Sequence, residues 1–187
     1  MPPKAKITKQ DIVTTAIYLI KSEGASSLNA RNLASKLNCS TQPIFSNFTS
    51  MEDLQDEVLL SVYNLYLSFI KNEVESEKYP QYKAFGMAYI RFAKEEKELF
   101  KFLFMRDRDG KDIIPTTDFN QAIEIIALRN NVSKETAELI HIEMWALVHG
   151  IGTMHATSFC MLDWDYISNM LTDVYQGLIL RHVGEVK

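Results

Sequence analysis

The sequence has only two cysteines, Cys39 and Cys160, far apart along the chain. That excludes a disulfide framework and any CxxC redox or zinc spacing, so a reduced, cytoplasmic setting is the expectation. Seven glycines and five prolines among 187 residues exclude collagen-like and Pro/Gly-rich disordered chains. No apolar run approaches the ~20 residues that a helix needs to cross a bilayer, and the first apolar stretch, Asp11 to Ile20, is interrupted by threonines. Neither a membrane span nor a secretory leader is expected. There is no GxSxG, no P-loop and no GxGxxG, so catalysis and a nucleotide cofactor have no support.

Metal chemistry fails on residue count. Glu138 and His141 form one Glu-x-x-His, the unit of a di-iron bundle, but none of His149, His155 and His182 has a glutamate three residues before it. His149 and His155, with Cys160 nearby, are not at the i, i+4 spacing of a helical zinc pair. A protein without metal, cofactor or enzymatic activity is expected.

What is present is a globular balance, 47% hydrophobic and 24% charged, in a chain long enough to bury a core without staples. Its charge is divided. Residues 1–50 carry Lys4, Lys6, Lys9, Lys21, Arg31 and Lys36 against Asp11 and Glu23, a net of +4. The remainder holds fourteen basic and twenty-two acidic groups, a net of −8, which gives −4 for the chain. A basic end on an acidic body suits a polyanion-binding module joined to a non-binding one.

Apolar residues recur at helical spacing throughout, and no segment alternates with strand period. Thr8 and Asp11 open a first helix that ends at Glu23-Gly24. Asn29 caps a second over Ala30 to Leu37, and Asn38 is suited to a left-handed stop. Ser40 is placed to cap a third, Thr41 to Asn47, with Pro43 in its first turn. Ser50 caps a long fourth helix running to about Glu75. Five more follow: one around Tyr82 to Phe92, Glu98 to Met105, Thr117 to Asn130, Ser133 to about Phe159, and Trp164 to about His182. Arg106 to Lys111 reads as a loop. The expected fold is all-α, with about nine helices.

Asn29 to Phe48 is therefore a helix, a tight polar break and a second helix, the arrangement of a helix-turn-helix. Ala34 and Leu37 are placed to pack on Ile44 and Phe48. Thr41, Gln42, Ser46 and Asn47 then face outward, as short polar groups able to reach base edges or phosphates in a major groove about 12 Å wide.

The run Leu28-Asn29-Ala30-Arg31-Asn32-Leu33-Ala34, then Asn38 through Phe48, then Glu52-Asp53-Leu54, resembles the DNA-binding domain of the tetracycline-repressor (TetR) family over about residues 8–55. The later Trp145-Ala146-Leu147-Val148-His149-Gly150 is similar to the Trp-x-x-x-His-Gly (WHG) signature of one C-terminal subgroup. The resemblance implies an N-terminal three-helix DNA-binding domain, residues 1–50, followed by a larger helical ligand-binding and dimerisation domain, residues 51–187. It also implies a double-stranded DNA operator, a small apolar or amphipathic ligand and a second copy of the chain as partners. Lys9, Asn29, Arg31, Thr41, Gln42, Pro43, Phe45, Ser46 and Asn47 are the expected DNA-binding residues, and Lys36 a further phosphate partner. Three positions depart from the family pattern: Phe45 for a tyrosine, Met51 for a lysine opening the fourth helix, and Asn38 for the turn glycine.

Residues 80–105 are dense in aromatic side chains. Tyr89, Phe92 and Phe104, facing Met144, Trp145, Val148 and His149, are the expected ligand-binding residues. Ala146, Gly150, Gly152, Ala156, Leu171, Val174 and Leu178 on the last two helices are candidates for a dimer interface. The functional expectation is a homodimeric, ligand-released transcriptional repressor. The reading from another class is a non-enzymatic helical protein–protein interaction module.

Overall fold

The computed structural model describes residues 7–106 and 117–183. Most of the loop expected at Arg106 to Lys111 lies outside them. Among the described residues there are nine α-helices and no strand, and no helix is long and apolar enough to cross a membrane. Two compact units form: one holds the described residues up to Leu65 and from Glu96 to Arg106, the other Tyr66–Glu95 with the C-terminal helices. These units are not the linear segments 1–50 and 51–187, because the chain leaves the first unit after Leu65 and returns to it at Glu96.

In the first unit, α1 (Lys9–Glu23) starts from a reciprocal cap in which the Thr8 hydroxyl accepts the Asp11 N–H at 3.1 Å and the Asp11 carboxylate accepts the Thr8 N–H at 2.9 Å. The Thr8 hydroxyl, 2.7 Å from the same carboxylate, and the Thr8 N–H together hold the Asp11 carboxyl below its ordinary pKa. Ile12, Ala16, Leu19 and Ile20, at helical spacing, are buried toward α2, α3 and α6. Gly24 ends α1 at φ +82°, and a short 3₁₀ turn, Ala25–Ser27, follows. Helix α2 (Ala30–Lys36) is capped by Asn29, whose side-chain oxygen accepts the Asn32 N–H at 2.9 Å. It ends at Asn38, φ +53°, where the Cys39 N–H reaches back to the Ala34 carbonyl at 2.9 Å.

Helix α3 (Gln42–Asn47) begins differently from the sequence expectation. Thr41, not Ser40, is its N-cap, and with φ −71° and ψ −14° it is already helical, so no side-chain cap forms. Helix α4 (Met51–Glu75) has the expected Ser50 cap, the hydroxyl accepting the Asp53 N–H at 3.1 Å. Helix α6 (Lys97–Phe104) closes the unit against α1, with Leu99, Phe100 and Leu103 fully buried.

The second unit is built on α5 (Gln81–Glu95), α7 (Thr117–Asn130), α8 (Lys134–Ala156) and α9 (Trp164–Val183), with the end of α4. Tyr82 meets His141, and Tyr89 meets His149, so α5 and α8 run in the same direction. Contacts of Tyr82 with Tyr175 and of Arg91 with Trp164 make α9 antiparallel to α5. Gly86 permits the close packing: a Cβ there would lie 3.2 Å from Val148 Cγ2 and 3.4 Å from Leu171 Cδ1. Ile123, Ile126, Ala137, Ile140 and Ile179 form a separate buried cluster joining α7, α8 and α9.

Candidate functional site

Helix α3 is amphipathic over six residues. Ile44 and, just past its end, Phe48 are 0% and 2% exposed and anchor it to the first unit. Thr41, Gln42, Phe45 and Ser46 are exposed, and Pro43 and Asn47 half-buried. The left-handed Asn38 allows the turn between α2 and α3 to be this short.

Several expected DNA-binding side chains already have partners within the chain. The Ser46 hydroxyl donates to the Gln42 carbonyl at 2.9 Å, and the Asn47 amide nitrogen to the Pro43 carbonyl at 2.7 Å. Asn29 uses its oxygen as the α2 cap and its amide nitrogen on the Ser27 carbonyl at 3.3 Å. Lys9 is held by Glu57 at 2.6 Å and lies over the Phe48 ring, 5.2 Å from its centroid. The Lys36 ammonium sits 4.5 Å from the centroid of Tyr18, an α1 residue that sequence reasoning did not single out. Arg31 is exposed on α2. The outward groups of α3 with least commitment to its own backbone are therefore Thr41, Gln42 and Phe45.

The expected ligand-binding residues are drawn from both compact units. Phe104 belongs to the first unit, where its ring packs on Phe100 with centroids 5.3 Å apart, and the other six belong to the second. Tyr89, Phe92, Met144 and Val148 are buried, Trp145 is exposed and His149 is half-buried. The Tyr89 hydroxyl lies 2.8 Å from His149 Nδ1, and the Trp145 indole stacks on the same imidazole at 5.0 Å with 16° between planes. Desolvation lowers the pKa of His149, favouring the neutral ring. Its Nδ1 then accepts from Tyr89. Phe92 packs on Tyr66 and Phe69 of α4, centroids 5.6 and 5.3 Å away. Neither Tyr66 nor Phe69 was among the expected ligand-binding residues; their i, i+3 spacing was the available signal.

A second tyrosine–histidine pair stands near the start of both helices. Tyr82 Oη is 3.0 Å from His141 Nδ1, with Phe119 edge-on to the imidazole at 4.4 Å. Burial, with Tyr175 a smaller contributor, pushes the Tyr82 phenol well above its ordinary pKa. Arg91 joins Glu73 at 2.8 Å and Glu95 at 3.6 Å and lies 4.6 Å from the Trp164 ring centroid.

The candidate interface residues also divide. Gly152, Ala156 and Leu171 are buried within the chain and Val174 and Leu178 half-buried, whereas Ala146 is exposed and Gly150 half-buried. An outward stripe on α8 contains Leu139, Ile142, Ala146 and Gly150, and one on α9 contains Tyr166, Gly177 and Leu180.

No family model matches the sequence, and no curated protein sequence matches it. Solved structures do resemble it. A protein of unknown function from Rhodococcus sp. RHA1 superposes with a TM-score of 0.75 at 17% identity, over 95% of this chain and 98% of that one. A TetR-like transcriptional regulator from the same organism gives 0.68 at 13%, over 99% and 100%. The TetR family protein ActR of Streptomyces coelicolor, in complex with (S)-DNPA, gives 0.59 at 16%, over 95% and 100%. At these identities the likeness is one of fold: the chain has the all-helical fold of TetR-like regulators, with an N-terminal helix-turn-helix and a larger helical part.

Proposed function

We propose that the chain is a TetR-family transcriptional regulator, a homodimeric repressor that binds a near-palindromic DNA operator and leaves it when a small molecule occupies the helical body. The observation that carries this reading is the α3 face. A six-residue helix anchored by Ile44 and Phe48 presents Thr41, Gln42 and Phe45 to solvent after a left-handed turn, and the preceding helix α2 carries the exposed basic Arg31 and Lys36. That is the geometry by which a recognition helix enters a major groove. Gln42 suits bidentate pairing with adenine, while Arg31, Lys36 and Lys9 suit phosphates. The likeness to a TetR-like regulator and to ActR with its bound small molecule supports both the operator and the ligand.

Two copies of the chain would meet through the outward stripes of α8 and α9, and operator binding then requires their two α3 helices at the ~34–36 Å spacing of successive major grooves. The ligand region is the aromatic cluster of Tyr66, Phe69, Tyr89, Phe92 and His149, contributed by α4, α5 and α8. Helix α4 carries residues of both compact units, so a ligand that favours one α4 position shifts operator affinity by its differential affinity for the two states.

The test is binding of the full chain to duplexes enriched from a random pool, measured across a salt series against unrelated duplex. The expected result is a preference of ~10³-fold or more, two chains per duplex, and relief of binding by an apolar small molecule. Equal affinity for all duplexes at every salt concentration would remove the operator claim, and a protein partner on α3 would then be the better account.

A further inference from the structure

The face of α3 contains one group that neither base hydrogen bonding nor phosphate contact explains. Phe45 is 49% exposed in a helix whose other large apolar residue, Ile44, is 0% exposed. Its neighbours Ser46 and Asn47 have turned a hydroxyl and an amide donor back on the helix backbone. One turn before it stands Gln42, exposed on the same side, since residues three apart share a helix face. Their axial separation of about 4.5 Å is close to the 3.4 Å rise of one base pair. A helix seated in a major groove therefore brings Gln42 and Phe45 to neighbouring base pairs.

A phenyl ring has no donor or acceptor. The major-groove edges of the bases are donors and acceptors with one apolar exception, the methyl group on C5 of a pyrimidine. Against any other edge the ring strips water from polar base atoms and returns no hydrogen bond, a penalty that adds to discrimination. We infer that Phe45 is a specificity-determining residue that reads the 5-methyl group of a pyrimidine next to the base pair contacted by Gln42. Thymine and 5-methylcytosine both carry this group. The inference rests on the duplex-binding reading above and adds to it the chemistry selected at one position.

The test uses the full chain and the duplex it enriches from an unmethylated random pool. Each thymine is replaced singly by deoxyuridine, which removes only the methyl group, and each cytosine singly by 5-methylcytosine. The expected result is one position per half-site where loss of the methyl weakens binding about fourfold, or about fifteenfold when both half-sites are changed. The effect disappears in Phe45→Ala and persists in Phe45→Leu and Gln42→Ala. If thymine replacement is silent and cytosine methylation instead strengthens binding through Phe45, the methyl group is still the feature read and methylcytosine is its source. A duplex bound specifically yet insensitive to every pyrimidine methyl, or equally sensitive in Phe45→Ala, overturns the inference and leaves operator binding standing. Failure to enrich any duplex overturns the duplex-binding reading, and this inference with it.

Discussion

The Lys9 ammonium lies 2.6 Å from the Glu57 carboxylate, joining the first turn of α1 to α4 within the first unit. Both side chains are substantially exposed, 51% and 41%, so the pair contributes at most ~1 kcal/mol to stability. It does, however, neutralise a cation otherwise suited to a phosphate. Glu57→Gln should therefore strengthen duplex binding two- to fivefold near 0.1 M salt and steepen the log–log salt dependence by about one unit, with the thermal midpoint nearly unchanged. Lys9→Ala should weaken binding and flatten that slope. In the double variant the gain from Glu57→Gln should vanish. If it survives without Lys9, removal of a negative charge at long range is the cause.

Arg91 holds Glu73, whose side chain is only 7% exposed. Removing the guanidinium leaves a buried carboxylate without its ion pair and uncovers the Trp164 face. Because Arg91 is itself about one-third exposed, the penalty falls below that of a fully buried pair: about 2–3 kcal/mol for Arg91→Ala, a drop of roughly 5–10 °C in melting temperature. Arg91→Lys keeps the charge but loses the fork and the stacking geometry, and should fall between. Replacing both partners by Met and Leu should recover most of the loss. Thermal melts of the wild type and these three variants at pH 7 check the series.

His149 gives stability a dependence on pH. Burial lowers its pKa in the folded chain below the ~6.5 of an exposed imidazole, so the unfolded chain binds more protons as pH drops through that value. Its contribution is present above about pH 6.5 and is lost as pH falls toward the folded-state value. Protonation also turns Nδ1 into a donor, so the buried Tyr89 hydroxyl can no longer donate to it. Urea midpoints measured from pH 5 to 8 should fall on the acid side more steeply for the wild type than for His149→Gln, which does not titrate. Parallel curves would assign the acid sensitivity to other groups.

The parts of this molecule legible in its sequence are those set by interactions three or four residues long. Thr8 with Asp11, Asn29 with Asn32 and Ser50 with Asp53 are hydrogen bonds within one turn, so the residue types announce them. Asn38 announces a left-handed stop for the same reason. Glu77 and Ser158 adopt positive φ too, at +54° and +56°, yet neither residue type favours it, so the ends expected at about Glu75 and about Phe159 carry no such left-handed signal. Ser40 was misread because Thr41 is already helical, which is a backbone property and not a composition. Tertiary partners were not legible. The return of α6 to α1, the Lys9–Glu57 pair and the stacking of Arg91 on Trp164 all depend on how distant segments meet, and helical periodicity gives only which face is apolar. Phe45 was legible as a departure from a tyrosine pattern. Its exposure and the turned-back neighbours, which give it a role, required coordinates.

Gly150 and Gly177 locate the proposed contact between two copies. Each lies within a helix, and a Cβ built on either meets nothing within 4 Å, so packing inside the chain does not demand glycine there. Glycine costs a helix about 1 kcal/mol relative to alanine, a cost that close approach of a second helix would explain. Around them the exposed Leu139, Ile142, Tyr166 and Leu180 offer apolar surface. A leucine Cβ at either position meets open space within the chain, and leucine improves helix propensity, so the double variant Gly150→Leu/Gly177→Leu should keep the wild-type helical signal and melt at least as high when dilute. Across a two-fold axis the same two substitutions occur four times, and overpacking on that scale should weaken self-association at least ~100-fold. Sedimentation should then show a monomer at concentrations where the wild type is a dimer, with operator affinity falling in step. A variant that stays dimeric would place the contact on another face, since no helix could pack closely over those leucines without moving apart.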